Sequence, residues 1–162
     1  MNSVGIDISK GRSTVAVMRP FGEVVISPVE VRHTDSELSE LARRLKSLDG
    51  ETRVVMEATG NYHAPVAKLL HDAGLYVSVV NAKLVHGYGN NDLRRVKTDR
   101  KDAAKLANYG IDRWPNFAEV CSGGRYPAAV EELLPPVPAV FQGADSSEEQ
   151  SDLAAGHGVS KR

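Results

Sequence analysis

The sequence predicts an α/β protein built on a mixed β-sheet with helices on both faces. Residues 3–31 hold three apolar, β-branched runs separated by short Gly-containing turns, which is the pattern of an antiparallel meander. From residue 34 onward, segments with apolar residues three and four apart alternate with short apolar runs, so helix and strand alternate. Strands joined through a helical crossover pair in parallel, so the later strands join the meander as a parallel addition.

Each element has its own signal. Ser3 to Ser9 reads as the first strand, interrupted by one acidic residue, Asp7. Lys10-Gly11-Arg12 turns the chain, and Ser13 to Arg19 forms a second strand with apolar residues on both faces. Pro20-Phe21-Gly22 turns it again into a third strand, Glu23 to Val31, where Pro28 marks an edge or a bulge. Thr34 or Asp35 caps a helix running to about Leu48, and Asp49-Gly50 stops it. Arg53 to Ala58 is a buried strand that carries a carboxylate, Glu57, near its end. Asn61 is the expected cap of a helix from Tyr62 to Ala73, with Pro65 tolerated in the first turn and Gly74 just past the last. Leu75 to Val80 is a fifth strand whose unbroken apolar run marks it as central or flanked on both sides. Asn81 to Val96 reads as a connector with a turn-rich centre at 87–92. A last helix starts at Thr98 or Asp99 and runs to about Asp112, where Trp114-Pro115 closes the segment and Trp114 packs against the sheet edge. This order is also that of the ribonuclease H-like fold.

Composition bounds the function. Apolar residues make up 41% of the 162-residue chain and the net charge is −1. The balance is uneven: residues 1–117 carry 17 Lys and Arg against 14 Asp and Glu, and residues 118–162 carry 3 against 7. The mildly basic part contains the last helix. A single cysteine, Cys121, excludes an intrachain disulfide and fits a reducing compartment. No signal peptide is apparent and no run approaches 18 apolar residues, so the expectation is a cytoplasmic protein without a membrane span.

The chemistry concentrates in the last helix. Asp99 and Asp102 lie three residues apart and so share one helical face. Two adjacent carboxylates repel by about 1 kcal/mol in water at 4 Å. The helix N-terminus offsets part of this, and a hard divalent cation would offset more. Arg94, Arg95, Lys97, Arg100, Lys101 and Lys105 surround the pair with charge that attracts phosphate. Asp7 and Glu57 stand in otherwise apolar strands, where a charge is seldom buried without a partner. If strands one and four are neighbours, these two sit side by side and the last helix brings Asp99 and Asp102 over them. Two Mg²⁺ or Mn²⁺ ions about 4 Å apart would suit such a cluster. The plainer readings are a turn formed by Asp7 with Ser9 and Lys10, a Glu57 that caps the helix at Tyr62, and a solvated, salt-bridged helix start.

Three segments, in order, carry a family resemblance: Gly5-Ile6-Asp7-Ile8-Ser9-Lys10, Met56-Glu57-Ala58-Thr59-Gly60-Asn61-Tyr62 and Lys97-Thr98-Asp99-Arg100-Lys101-Asp102-Ala103. Together they resemble the signature of the DEDD transposases, insertion-sequence recombinases whose N-terminal domain is similar to the Holliday-junction resolvase RuvC. The resemblance spans roughly residues 2–117. It implies a RuvC-like domain in which Asp7, Glu57, Asp99 and Asp102 are the catalytic tetrad and bind Mg²⁺. It also implies DNA as partner, a structured guide RNA from the same element, and a possible homo-oligomer. Lys10, Arg94, Arg95, Lys97, Arg100, Lys101 and Lys105 are the expected phosphate contacts.

The family continues into a helical region and a second domain with a serine nucleophile, for which this chain has no counterpart. Ser122 comes too early to take that role. The chain therefore divides into residues 1–117, the RuvC-like domain, and residues 118–162, a degenerate tail expected to be disordered. Pro135-Pro136-Val137-Pro138 blocks a helix there. A frameshift would account for the tail: codons can be chosen for Ala128 to Val137 that, read one nucleotide downstream, give a polar, helix-forming segment like the family's. Two rival functions remain. One is a non-catalytic DNA- or RNA-binding fragment that competes or pairs with full-length transposase. The other is half of an actin-like or sugar-kinase ATPase, which lacks support because no further glycine-rich phosphate loop follows. His33, His63, His71, His86 and His157 show no metal-ligand spacing and read as surface or structural residues.

Overall fold

The computed structural model describes residues 1–58, 61–88 and 98–116. The five strands are β1 (Asn2–Ser9), β2 (Arg12–Arg19), β3 (Glu23–Arg32), β4 (Thr52–Glu57) and β5 (Tyr76–Val80). The helices are α1 (Asp35–Lys46), α2 (His63–Asp72), α3 (Ala82–His86) and α4 (Asp99–Asp112). They form one mixed sheet in the order β3-β2-β1-β4-β5. The first three strands are an antiparallel meander, while β4 joins β1 and β5 joins β4 in parallel. The predicted architecture is the observed one.

Alternation along the strands sorts the two faces. Val4, Ile6 and Ile8 of β1, Val54 and Met56 of β4, and Val77 and Val79 of β5 point to one side, where Leu41 and Leu45 of α1 and Val66 and Leu70 of α2 meet them. The opposite side is shorter in side chain. There Val55 and Val80 pack with Val85 of α3 and with Leu106 and Tyr109 of α4. Positions that share this face in β1 and β2 are Ser3, Gly5, Ala16 and Met18, all buried or nearly so.

Local chemistry sets the element ends. The Thr34 hydroxyl accepts from the Glu37 amide at 3.3 Å and caps α1. The Lys46 amine donates to the Ala73 carbonyl at 2.8 Å, tying the end of α1 to the end of α2. Gly74 follows α2 with φ +82°, the left-handed conformation a helix stop needs. The β2–β3 pairing shifts register twice near Val17, as Pro28 predicts for an edge strand.

Two expectations need correction, and a third resolves between its alternatives. Asn61 is not the α2 cap: Tyr62 holds that position, already with helical φ/ψ and without a side-chain cap bond. Of the two alternatives for β5, the second holds: among the described residues it lies at the edge of the sheet, and its apolar run reflects burial on both faces. The connector after β5 contains a short helix, α3, because the Asn81 side chain accepts from the Lys83 amide at 2.9 Å and Val85 buries itself in the α4-side cluster. Cys121, Ser122, His157 and the whole expected tail lie outside the described residues.

Candidate metal and nucleic-acid site

Backbone register decides where the carboxylates stand. In the β1–β4 pair, Gly5 lies opposite Val55 and Ile6 opposite Met56. The next residues along are Asp7 and Glu57, on neighbouring strands about 4.8 Å apart. Their direction follows from the residues two positions back. A Cβ placed on Gly5 would lie 2.0 Å from the Ala103 carbonyl oxygen and 2.4 Å from the Ala107 amide nitrogen, so Gly5 faces α4 directly. Val55 packs with Leu106 and Tyr109 of the same helix. Asp7 and Glu57 therefore share the α4 side of the sheet, and both are half-buried.

The helix is matched to the strand. Gly110 lies on Ser3, and Ala103 with Ala107 lies on Gly5. Each further turn of helix advances about 5.4 Å and each further pair of strand residues about 6.6 Å. One more step in the same direction carries the first turn of α4, with Asp99 and Asp102, toward Asp7. That turn is held by its cap: the Thr98 hydroxyl accepts from the Lys101 amide at 3.3 Å, and the Thr98 carbonyl accepts from the Lys101 and Asp102 amides at 2.8 and 3.0 Å. Asp99 is exposed and Asp102 half-buried.

All four predicted carboxylates thus stand at one end of the sheet. Their oxygens are the donors a hard divalent ion takes, and their placement on the backbone fits one. Among the described residues, however, no three His, Cys, Asp or Glu side chains are arranged to hold a metal ion. The structure brings β1, β4 and the start of α4 to one end of the sheet without arranging these side chains around a centre.

Lys10, in the β1–β2 turn directly after Asp7, is exposed. Arg100 and Lys101 are exposed on the first turn of α4, and Lys105 is half-buried one turn further on. Arg94, Arg95 and Lys97 lie outside the described residues. Of the histidines, His63 is buried at the start of α2. His33 lies at the end of β3 with its Nε2 2.7 Å from the Ser13 hydroxyl, and burial lowers its pKa.

Two features of the α4 side were not anticipated from sequence. Arg53 of β4 lies between two aromatic rings, 4.6 Å from the Tyr76 centroid and 4.5 Å from that of Trp114. It also donates to the Trp114 carbonyl and pairs with Glu51 at 2.8 Å. Trp114 does lie against the sheet, as expected, but through this guanidinium. Tyr88, after α3, packs edge-on against Tyr109 and donates to Asp112. Burial and that bond push the Tyr88 hydroxyl up to about 12, so it remains a donor at neutral pH. The aromatic and carbonyl partners of Arg53, and both partners of Tyr88, are more than 20 residues away in sequence, beyond any local pattern.

The mixed sheet and its helices have a RuvC-like, ribonuclease H-type fold. The RuvC resolvase of T. thermophilus, solved in complex with a Holliday junction substrate, superposes with a TM-score of 0.51 at 12% identity, covering 71% of this chain and 95% of that one. A second Thermus thermophilus RuvC structure gives 0.43 at 16% identity, covering 66% and 90%. Within that class, residues 4–122 match the profile of the IS110-type DEDD transposases, and the chain belongs to this family. It is also 37% identical over 62 residues to the pilin gene-inverting protein of Moraxella bovis. That match covers 38% of this chain and 19% of the relative, so the chain spans only a small part of the relative's length. No helix among the described residues is long and apolar enough to cross a membrane.

Proposed function

We propose that this chain is the metal- and nucleic-acid-binding domain of a transposase that acts in DNA transposition and site-specific recombination. The observation that carries the reading is the register that sets Asp7 beside Glu57 under the first turn of α4. Asp7, Glu57, Asp99 and Asp102 would hold Mg²⁺ or Mn²⁺, which when bound supplies charge stabilisation at a DNA phosphate and its leaving oxygen. The protein's own contribution is placement. β1 and β4 fix two carboxylates in neighbouring strands, and the capped end of α4 presents two more. Lys10, Arg100, Lys101 and Lys105 draw the nucleic-acid backbone to that end of the sheet and set its register without reading its sequence. Arg94, Arg95 and Lys97 are proposed to add to the same surface. The nucleophile, a serine in the family, would come from outside residues 1–117, and a guide RNA and a second copy of the chain are the proposed partners. Residues 118–162 are proposed to add nothing to this site.

Titration of the purified chain with Mn²⁺ by calorimetry tests this. Uptake by the wild type that disappears in Asp7→Asn is the expected result. Equal uptake by both proteins would place the ion elsewhere.

One observation favours a second reading. Because no three donors among the described residues are arranged around a metal, the chain could serve as a non-catalytic DNA- or RNA-binding fragment. Its mark is salt-sensitive binding that ignores Asp7→Asn and Glu57→Gln.

A further inference from the structure

We infer that Arg53 is a positioning residue that holds α4 in the placement its carboxylates need, acting from the opposite end of the helix. The inference rests on the metal-site reading above and adds a residue to it. Arg53 belongs to β4, the strand that carries Glu57 four residues later. Tyr76 is its register partner in β5. Trp114 lies just beyond the last turn of α4. One side chain thus ties the strand that carries Glu57 to the helix that carries Asp99 and Asp102.

The other contacts of α4 lie along its body, where Leu106 and Tyr109 pack on Val55 of the same strand and on Val80. At Gly5 and Gly110 helix and sheet meet as hard stops, with an added Cβ on Gly110 only 2.1 Å from the Ser3 hydroxyl oxygen. Such contacts limit approach, while the attraction along the body of the helix comes from its apolar packing. Tyr88 ties Asp112 to α3, on the flank of α4 rather than to the strand beneath it. The Arg53 guanidinium adds a directional link from the sheet to the segment just past the end of the helix. It stacks between two rings and donates to a carbonyl, and its side chain is only 19% exposed.

A lever argument sets the size of the effect. The Ala103–Ala107 contact on Gly5 is the fulcrum. From its middle, Trp114 is about 14 Å away along the axis, and Asp99 and Asp102 are about 9 and 4.5 Å away, at 1.5 Å per residue. Freeing the clasp by 1 Å swings the two carboxylates by about 0.3–0.6 Å. Metal–ligand distances tolerate about 0.2 Å, and loss of groups that orient ligands typically weakens metal binding about 10–100-fold.

The test uses the full chain with Arg53→Ala, Arg53→Lys, Trp114→Ala and Trp114→Phe. Mn²⁺ affinity is measured by calorimetry well below each variant's melting temperature. Amide hydrogen exchange along α4 is followed without metal. The expected result is an affinity about tenfold weaker in Arg53→Ala, Arg53→Lys and Trp114→Ala, with faster exchange at residues 99–106 as well as near residue 112. Trp114→Phe, which keeps a ring over the guanidinium, should restore both. Wild-type affinity in Arg53→Ala, with faster exchange confined to the residues near 112, would reduce the clasp to a local tether and overturn the inference alone. Absence of Asp7-dependent Mn²⁺ uptake in the wild type would overturn the metal reading and the inference with it.

Discussion

The two faces of the sheet are built to different rules. Against α1 and α2, branched aliphatic side chains interdigitate, and the helices stand off the strands by the thickness of those side chains. Against α4, the strand positions are Ser3, Gly5 and Ala16, and the helix positions are Ala103, Ala107 and Gly110, so backbone approaches backbone. The first face buries more apolar surface and carries more of the stability. The second has little freedom to slide, because a helix resting on a glycine has no side chains that could repack. The proposed site draws carboxylates from two strands and a helix, and the second kind of contact suits it.

Substitutions would break or sharpen this contrast. Gly5→Ala should have the largest effect. Its methyl group meets the Ala103 carbonyl and the Ala107 amide, which are backbone atoms and cannot rotate away. A loss of about 4 kcal/mol in urea unfolding is expected, above the usual range for overpacking. Mn²⁺ uptake should be lost with it, because Asp102 adjoins the displaced residue. A cost under 1 kcal/mol would show that α4 sits loosely after all. Leu70→Ala, in the aliphatic face, should cost about 3 kcal/mol through cavity formation. Below its melting temperature this variant should bind Mn²⁺ like the wild type; impaired binding would mean the faces are not separable. Ser3→Ala should have the smallest effect. The Ser3 hydroxyl is fully buried beside Gly110 and has no hydrogen-bond partner among the described residues. Its removal should be neutral or stabilising by up to about 1 kcal/mol, and a clear destabilisation would reveal a partner for that hydroxyl.

Much of the framework was legible in the sequence, for reasons that differ by element. The meander, α1 and α4 announce themselves through alternation, helical spacing and the Thr34 and Thr98 caps. Gly74 marks its own stop. The proximity of Asp7 and Glu57 followed from topology alone, because a parallel β1–β4 pair sets their register. What remained hidden was long-range or tertiary. Asn2, fully buried, donates to the Asp49 carbonyl at 3.0 Å and to Thr52 at 3.1 Å, and accepts from Arg19 at 2.8 Å. No local pattern distinguishes such a hub from a frayed N-terminal residue. The short α3 was missed because five residues offer too little periodicity beside a run of Gly and Asn. Nothing in the composition around Arg53 pointed to Trp114, 61 residues away.

The hairpin between β2 and β3 projects from the sheet end away from the carboxylates, since Ser3 pairs with Met18 there while Asp7 pairs with Thr14. At its tip Phe21 is wholly exposed and adopts φ +64°, a conformation that glycine or asparagine tolerates better. Four strand residues, about 13 Å, separate the Ser3–Met18 pair from the level of Asp7. The tip is therefore a natural handle. A cysteine, affinity tag or surface linker placed at position 21 would tether the protein with its carboxylate end facing the solution, leaving the proposed nucleic-acid surface open in immobilised or single-molecule assays.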